Sequence, residues 1–502
     1  MEFASDAVRT LGRTGWQVSK IGYGGQRVHA EVEEHAQTLL FALLYGVNLV
    51  DTAPYYAGGG SERLVGAVLR ALIETQGIRR DEVVVVTKVG PVSGAAYRTA
   101  LQQEEEGRPY PEMVKLQEGF WHCIHPLWIQ EELERSLERL QLERVDLLLL
   151  SSPESYFLSA DSAADRRQLE AVLYGRIQDA FAQMEQLVRS GRISYYGLSS
   201  RGLGTPPDSR EHLSLTRCVE EARRAAERVW GSPDRHHFAV VQLPFNLLEQ
   251  GAYQVPGEPG GRTVLQAAQS FELAVLAARP LNARVGDRLI RLAQYEYDPD
   301  AEEPLTTIAA VAAAEREIVL ALRAWRLWDA ARAGVSGRLF FNIGETMKHL
   351  FPDLQHREHW LQALEHFLAP SIVQAVQRTE GLIPQARRIE WEPLKEAYSQ
   401  AVQRMVAAVS SHFNRQETEL KAPFWEALVQ ALGGEAEGLT LSQMAIQTVA
   451  SVPGVTAVLC GMKREAYAHE CVRLLSRRAF RRYEKALEAV AGLELLGVAS
   501  DD

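Results

Sequence analysis

The chain contains a series of short apolar runs, each followed by a longer segment whose apolar residues recur with the spacing of an α-helix. The runs cover residues 19–25, 46–53, 82–90, 144–152, 193–200, 238–246, 272–281 and 456–463. Alternation of strand and helix is typical of a parallel sheet. Eight such units without a dominant glycine-rich fingerprint favour a closed barrel over an open sheet. The pattern therefore predicts an α/β fold, a (β/α)8 TIM barrel.

The seventh and eighth runs are separated by a long stretch that has helical spacing nearly throughout. In this stretch Ile318, Leu322 and Trp325 lie on one helical stripe, and five of the nine tryptophans fall within it. Tryptophan on a repeating apolar face is typical of a packed helical core. We therefore expect barrel strands 1 to 7 in residues 1–282 and a large helical insertion in residues 283–438. The last strand, a closing helix and a frayed tail are expected in residues 439–502.

Composition narrows the classes of protein to which the chain can belong. The 502 residues are 46% hydrophobic, and 54 Lys and Arg face 65 Asp and Glu, a net charge of -11. The basic residues form no single stripe, so nucleic acid is not expected as a partner. There is no signal-peptide pattern at the start and no apolar run long enough to span a membrane, so we expect a cytoplasmic protein without membrane contact. Four cysteines without CxxC spacing favour neither a disulfide framework nor a metal site.

Side chains that can take part in acid–base catalysis follow two neighbouring strands of the predicted barrel. Asp51 ends the second run, Tyr56 lies five residues later, and Lys88 ends the third run. The carboxyl ends of barrel strands meet at one rim, where active sites are found. A tyrosine donates its proton poorly at neutral pH unless a nearby cation lowers its pKa, and a lysine held by an aspartate can be that cation. The three residues together therefore predict an acid–base site.

At these residues the chain resembles the aldo-keto reductase family. The resemblance is carried by eight segments in the family's order, which together cover residues 11–282 and about 440–475 and leave the helical stretch uncovered. These segments read LGRTGWQVSKIGYGG, NLVDTAPYYAGGGSERLVG, VVTKVG, ERSLERLQLERVDLLLL, MEQLVRSGRISYYGLSS, VVQLPFNLLE, VLAARPLNA and PGVTAVLCGMKR.

The resemblance implies a nicotinamide cofactor, NADP (NADPH), which lies extended across the carboxyl end of the barrel. Asp51, Tyr56 and Lys88 match the family's catalytic residues, with Tyr56 as the proton donor. The positions that hold the nicotinamide amide match Ser199, Ser200 and Gln242. The pyrophosphate loop matches Arg279, Pro280, Leu281 and Asn282. The loop that grips the adenosine phosphate matches Gly461, Lys463 and Arg464, and its two cations suit a 2′-phosphate.

The sequence departs from the family pattern at three places. The family's fourth catalytic residue, a histidine, falls on Ser151. The aromatic ring that often stacks on the nicotinamide is replaced by Ala278 or Arg279, and two polar positions of the last cofactor helix fall on Tyr467 and Cys471. Histidines that could replace the missing one lie on nearby loops at His29, His122 and His125.

These features leave two functions open. The first is an NADP(H)-dependent oxidoreductase that transfers a hydride between nicotinamide and a small-molecule carbonyl or alcohol substrate, with Ser151 in place of the usual histidine. The alternative is a cofactor-binding protein of this type with little or no activity, which acts as a regulatory or binding protein through a protein partner at its helical insertion. Retention of Asp51, Tyr56 and Lys88 favours the first function.

Overall fold

The computed structural model describes residues 2–75, 77–159, 165–285, 288–333, 340–491 and 493. The chain forms two compact units. One unit runs up to Leu292 and resumes at Ala427, and the other is formed by Ala293–Glu426. The hairpin of Asn282–Val285 with Arg288–Arg291 belongs to the first unit, so the helical unit begins later than the predicted boundary at 283 and also ends before 438.

The first unit contains a closed barrel of parallel strands, in which each strand pairs with the next in chain order and the last pairs with the first. The strands are β1 Ile21–Gly24, β2 Leu49–Asp51, β3 Val84–Val89, β4 Val145–Ser151, β5 Ile193–Ser199, β6 Phe238–Pro244, β7 Ala274–Ala278 and β8 Ala457–Cys460. The predicted (β/α)8 barrel is confirmed, and each of the eight apolar runs contains one strand.

Helices surround these strands in the order that the helical spacing predicts. They are Glu33–Leu44, Gly60–Glu74, Pro126–Leu140, Arg166–Arg189, Leu215–Trp230, Val264–Ser270, Leu441–Ser451, Glu465–Arg473 and Tyr483–Ala491. The loop after β3 adds a helix, Gly94–Glu105, and a small sheet of Pro91–Ser93, Val114–Gln117 and Phe120–His122. Helix Pro126–Leu140 shows how local sequence sets the bounds, because proline starts it and Gln141 ends it with a left-handed φ of 56°.

The leucines of β4 are buried on both faces of the sheet, as expected for a parallel barrel. Leu147 and Leu149 point into the barrel and join its interior cluster, while Leu148 and Leu150 are buried on the other face. Burying each leucine stabilises the fold by about 2 kcal/mol. Strands fixed in this way hold the residues at their carboxyl ends in a rigid frame.

The second unit is helical and has its own core. Its helices are Pro304–Ala324, Trp328–Arg332, Ile343–Leu350, Arg357–Ala363, Leu364–Leu368, Ala369–Leu382 and Arg388–Leu420, while Ala422–Leu432 begins in this unit and ends in the first. Ile318 and Leu322 are fully buried in the core, and Trp325 packs against it, as the helical stripe indicates. Trp360 and Trp391 are also core residues. None of the helices described is long and apolar enough to cross a bilayer.

Candidate active site

A cavity of about 300 Å³ opens where the carboxyl ends of the barrel strands meet. Most of the site residues predicted from the sequence line it: Asp51, Tyr56, Ser151, Ser199, Ser200, Gln242, Arg279, Pro280, Leu281, Asn282, Gly461 and Lys463. Of the remaining two, Lys88 lies buried and bonded to Asp51, and Arg464 is exposed beside the cavity loop. The strand ends thus bring together side chains that lie hundreds of residues apart in sequence.

Asp51 and Lys88 form a buried ion pair at the floor of the cavity. The Lys88 Nζ donates to Asp51 Oδ1 at 2.6 Å and to the backbone oxygen of Thr52 at 2.9 Å. The lysine side chain is 1% exposed and the aspartate 5%. Burial lowers the pKa of Lys88, and the opposing pull of Asp51 is the smaller effect. The pair is therefore held by short bonds and is almost fully buried, with Asp51 at the wall of the cavity.

Tyr56 lies directly beside this pair, with the Lys88 Nζ 4.6 Å from the centre of its ring. Its pKa is raised well above the ordinary value, first by burial and then by the negative charge of Asp51 and by Tyr55. The expectation that Lys88 lowers this pKa is therefore wrong, because burial and the charge of Asp51 set the direction of the shift. The Tyr56 hydroxyl consequently keeps its proton at neutral pH.

A chain of two hydrogen bonds connects Ser199, at the end of β5, through Gln242 to Asp51. Neighbouring strands place Ser199 level with Gln242. The Ser199 hydroxyl donates to Gln242 Oε1 at 2.6 Å, and Gln242 Nε2 donates to Asp51 Oδ1 at 2.8 Å. The orientation of the Gln242 amide is thereby fixed from both sides. Ser199 and Gln242 therefore present a preorganised polar surface to anything bound in the cavity.

Ser151, at the end of β4, is 2% exposed and takes part in two contacts. Its hydroxyl lies 3.0 Å from the Tyr55 hydroxyl, and its backbone oxygen lies 2.8 Å from His122 Nε2. A carbonyl oxygen can only accept, so His122 Nε2 carries the hydrogen. Burial lowers the pKa of His122 to about 4, and the ring is therefore neutral.

His122 thus supports the backbone of β4 and does not supply an imidazole to the cavity. His125 caps a helix by accepting from the backbone N–H of Leu127 at 3.3 Å. His29 accepts from the backbone N–H of Glu31 at 3.2 Å. Neither histidine lines the cavity. The hydroxyls of Ser151 and Tyr55 therefore lie together at the end of β4, the position for which the resemblance predicts a histidine.

Gly90 makes the close approach between β4 and the loop after β3 feasible. A Cβ at this position would lie 2.3 Å from the backbone oxygen of Ser151 and 2.9 Å from His122 Nε2. Its φ of 141° is also in the region that favours glycine. Glycine here lets His122 reach Ser151.

Ser200 turns its hydroxyl away from Ser199 and towards a buried carboxylate. It donates to Glu154 Oε2 at 2.8 Å, and the backbone N–H of Arg201 donates to Glu154 Oε1 at 3.0 Å. Glu154 is fully buried, and burial raises its pKa. The Ser200 hydroxyl is therefore already engaged, and Glu154, which sequence patterns did not single out, fixes the chain after β5.

The loop after β7 carries polar atoms that are buried but have no hydrogen-bond partner in the described part of the chain. These atoms are Arg279 Nε, Asn282 Oδ1 and, in the following hairpin, Arg291 Nε. All three residues line the cavity. Arg279 is also paired with Glu249 and has a left-handed φ of 55°. Since buried polar groups are almost always satisfied, these atoms indicate a place for a polar ligand.

The loop after β8 lines the cavity together with the loop after β7. Lys463 lines it and Arg464 does not, although sequence treated the two cations alike. Tyr467 also lines it, and the Arg291 guanidinium lies 5.7 Å from the centre of the Tyr467 ring. Arg291 was missed because it lies outside the segments that resemble the family. In the sequence, Arg291 is one of several arginines that follow the RPLNA segment, and nothing in the pattern marks it as a cavity residue.

Comparisons with known proteins find relatives for parts of the chain. Residues 20–212 match the model of the Aldo/keto reductase family. L-galactose dehydrogenase of Arabidopsis thaliana is 32% identical over 146 residues, which cover 28% of this chain and 36% of that protein. The chain thus spans about a third of the length of this relative.

Solved structures of similar proteins include an aldo-keto reductase from Bacillus halodurans in its holo form, with 15% identity, a TM-score of 0.47 and 97% of each chain covered. Another is an aldo/keto reductase from Klebsiella pneumoniae in complex with NADP and acetate, with 16% identity, a TM-score of 0.45 and 97% of each chain covered. The family match over residues 20–212 lies on the barrel, and this part of the chain is similar to the Aldo/keto reductase family.

Proposed function

We propose that this protein is an NADP(H)-dependent oxidoreductase that transfers a hydride between nicotinamide and a carbonyl or alcohol substrate. The observation that carries the proposal is the buried cluster of Asp51, Lys88 and Tyr56, at hydrogen-bond and ring-contact distances, on the floor of an open cavity. Such a cluster supplies a positioned proton donor, which is what carbonyl reduction needs from a protein.

The residues around the cavity suit a dinucleotide that carries phosphates. Arg279 Nε, Asn282 Oδ1 and Arg291 Nε are buried polar atoms without partners among the described residues, and all belong to cavity-lining side chains. The basic residues that line the cavity are Arg27, Arg201, Arg279, Arg291 and Lys463. Among the described residues that line the cavity, Asp51 is the acidic one. It is paired with Lys88, as Arg279 is with Glu249 and Arg201 with Glu211. A cavity of positive charge in a chain of net charge -11 favours an anionic ligand.

We assign the protein's part in the reaction as follows. When bound, the nicotinamide donates or accepts the hydride. Tyr56 donates its hydroxyl proton to the substrate oxygen, and Lys88 stabilises the negative charge left on the ring oxygen. Asp51 holds the ammonium of Lys88 in place. Gln242 and Ser199 orient a planar amide above this cluster, since they already hold each other in a fixed geometry.

Lys463 should select NADP(H) over NAD(H). Lys463→Ala is expected to weaken NADPH binding by about tenfold or more and to leave NADH binding nearly unchanged, because a charged hydrogen bond contributes about 1.5–3 kcal/mol. Arg464→Ala is the matched control, since Arg464 does not line the cavity and should have the smaller effect. Quenching of protein fluorescence measures both dissociation constants, and equal losses for both cofactors in Lys463→Ala would contradict the assignment.

The raised pKa of Tyr56 predicts different pH profiles for the two reaction directions. Carbonyl reduction needs the protonated hydroxyl, so kcat/KM should stay level from about pH 6 to about pH 9. Alcohol oxidation needs the ionised oxygen, so its kcat/KM should rise about tenfold per pH unit towards pH 10. Initial rates in both directions test this. A reduction rate that falls with an apparent pKa near 7 would contradict it.

Two departures from the family pattern favour the second candidate, a cofactor-binding protein with weak activity: Ser151 in place of an imidazole, and Tyr467 and Cys471 in the last cofactor helix. The two candidates differ in turnover. Purified protein is expected to oxidise NADPH in the presence of small aldehydes. NADPH binding without turnover of any aldehyde, ketone or quinone would favour the binding protein, and absence of NADPH binding would reject both. The similarity to L-galactose dehydrogenase supports including sugars among the substrates tested.

A further inference from the structure

We propose that Tyr55 and Ser151 form a hydroxyl pair that binds a hydroxyl group of the substrate next to its reacting carbonyl. The substrates would then be 2-hydroxy carbonyl compounds, or the corresponding vicinal diols in the oxidative direction. This inference rests on the proposed function and adds a substrate class to it.

The geometry of the pair places it beside the proton donor. The Tyr55 and Ser151 hydroxyl oxygens are 3.0 Å apart, and both residues line the cavity. The rings of Tyr55 and Tyr56 meet edge to face with their centres 5.0 Å apart. Three hydroxyl groups therefore border the same part of the cavity, and the one on Tyr56 is the proton donor of the proposed reaction.

The hydrogen bond between Tyr55 and Ser151 leaves capacity for a ligand. Two hydroxyls carry two hydrogens and several lone pairs. The bond between them uses one hydrogen and one lone pair, and a hydrogen bond from the Tyr56 hydroxyl uses one lone pair of Tyr55. The pair can therefore still donate one hydrogen bond and accept another. A substrate hydroxyl, which both donates and accepts, matches these properties, whereas a bare alkyl chain would leave buried polar groups without a partner.

The surroundings hold the pair in position. His122 fixes the end of β4 through the hydrogen bond from its Nε2 to the backbone oxygen of Ser151. Gly90 leaves the space that this hydrogen bond needs. The Tyr55 ring is supported by the ring of Tyr56. Since the oxygens of a 2-hydroxy carbonyl compound sit on adjacent carbons, a carbonyl held by Tyr56 would direct the neighbouring hydroxyl towards the pair.

The test compares two aldehydes that differ by one hydroxyl, 2-hydroxypropanal and propanal, in the NADPH oxidation assay. The wild-type protein is expected to prefer 2-hydroxypropanal by about tenfold or more in kcat/KM. Tyr55→Phe and Ser151→Ala should each reduce the preference to within about threefold of unity, mainly by loss of activity on 2-hydroxypropanal. Ser151→Thr, which keeps a hydroxyl, should retain the preference.

The ratio of kcat/KM for 2-hydroxypropanal to kcat/KM for propanal shows whether Tyr55 and Ser151 bind substrate or only support the fold. A general loss of folded enzyme would lower both values equally and leave the ratio unchanged. A wild-type ratio near unity would overturn the inference. So would a ratio that stays unchanged in both Tyr55→Phe and Ser151→Ala. Failure to turn over either aldehyde, or full activity of Tyr56→Phe, would instead remove the proposed function on which the inference rests.

Discussion

Tyr56→Phe is expected to lower kcat for NADPH-dependent carbonyl reduction by about 10²- to 10⁴-fold, the range for loss of a positioned general acid. The variant loses only the hydroxyl that lies beside Asp51 and Lys88, and its ring can still pack against Tyr55 and face the Lys88 ammonium. The NADPH dissociation constant should therefore change little. Steady-state rates with small aldehydes and a cofactor titration measure the two quantities separately.

Tyr45→Phe is a suitable control for this experiment. Tyr45 is 48% exposed at the end of a barrel helix and does not line the cavity. Removal of its hydroxyl should leave turnover unchanged. If Tyr56→Phe retains more than about a tenth of the wild-type rate, Tyr56 is not the general acid, and the proposed mechanism is wrong.

The barrel could be predicted from sequence because its signal is local. Each strand is a short apolar run such as DLLLL, and both faces of that run are buried in a barrel. The position of each strand end then follows from the strand itself. This is why Asp51, Ser151, Ser199 and Gln242 could be assigned to one rim before any distance was known.

Contacts among the rim residues could not be predicted in the same way. The pKa of Tyr56 depends on how deeply the ring is buried and on its distance from Asp51, and neither quantity is visible in the sequence. The sequence contains the Asp–Lys pair but does not show how deeply Tyr56 is buried. The direction inferred from charge alone was therefore wrong.

Ser151 illustrates a second limit. The resemblance predicts a histidine at the position of Ser151, but the sequence does not show which groups meet there. The tyrosine before Tyr56 and the serine that ends β4 are 96 residues apart, and only the closed barrel brings their hydroxyls within 3.0 Å. Likewise, His122 was one of several candidates to replace the histidine, and the small sheet after β3 aims it at a backbone oxygen.

The second large effect is expected for Lys88→Met, which removes the ammonium but keeps a side chain of similar length. Asp51 would then be a buried carboxylate whose strongest partner is gone. Breaking one side of a buried ion pair costs about 3–5 kcal/mol, so the barrel should unfold at a clearly lower urea concentration. Turnover should also fall, because no cation remains beside the Tyr56 ring.

The double variant Lys88→Met with Asp51→Asn separates stability from catalysis. It removes both charges, and a neutral pair in a buried site is often as stable as the ion pair it replaces. The urea midpoint of the double variant should therefore lie above that of Lys88→Met, while its turnover stays as low. Urea unfolding followed by fluorescence, together with NADPH oxidation, tests both parts. A double variant less stable than Lys88→Met would mean that the unpaired charge of Asp51 is not what destabilises Lys88→Met.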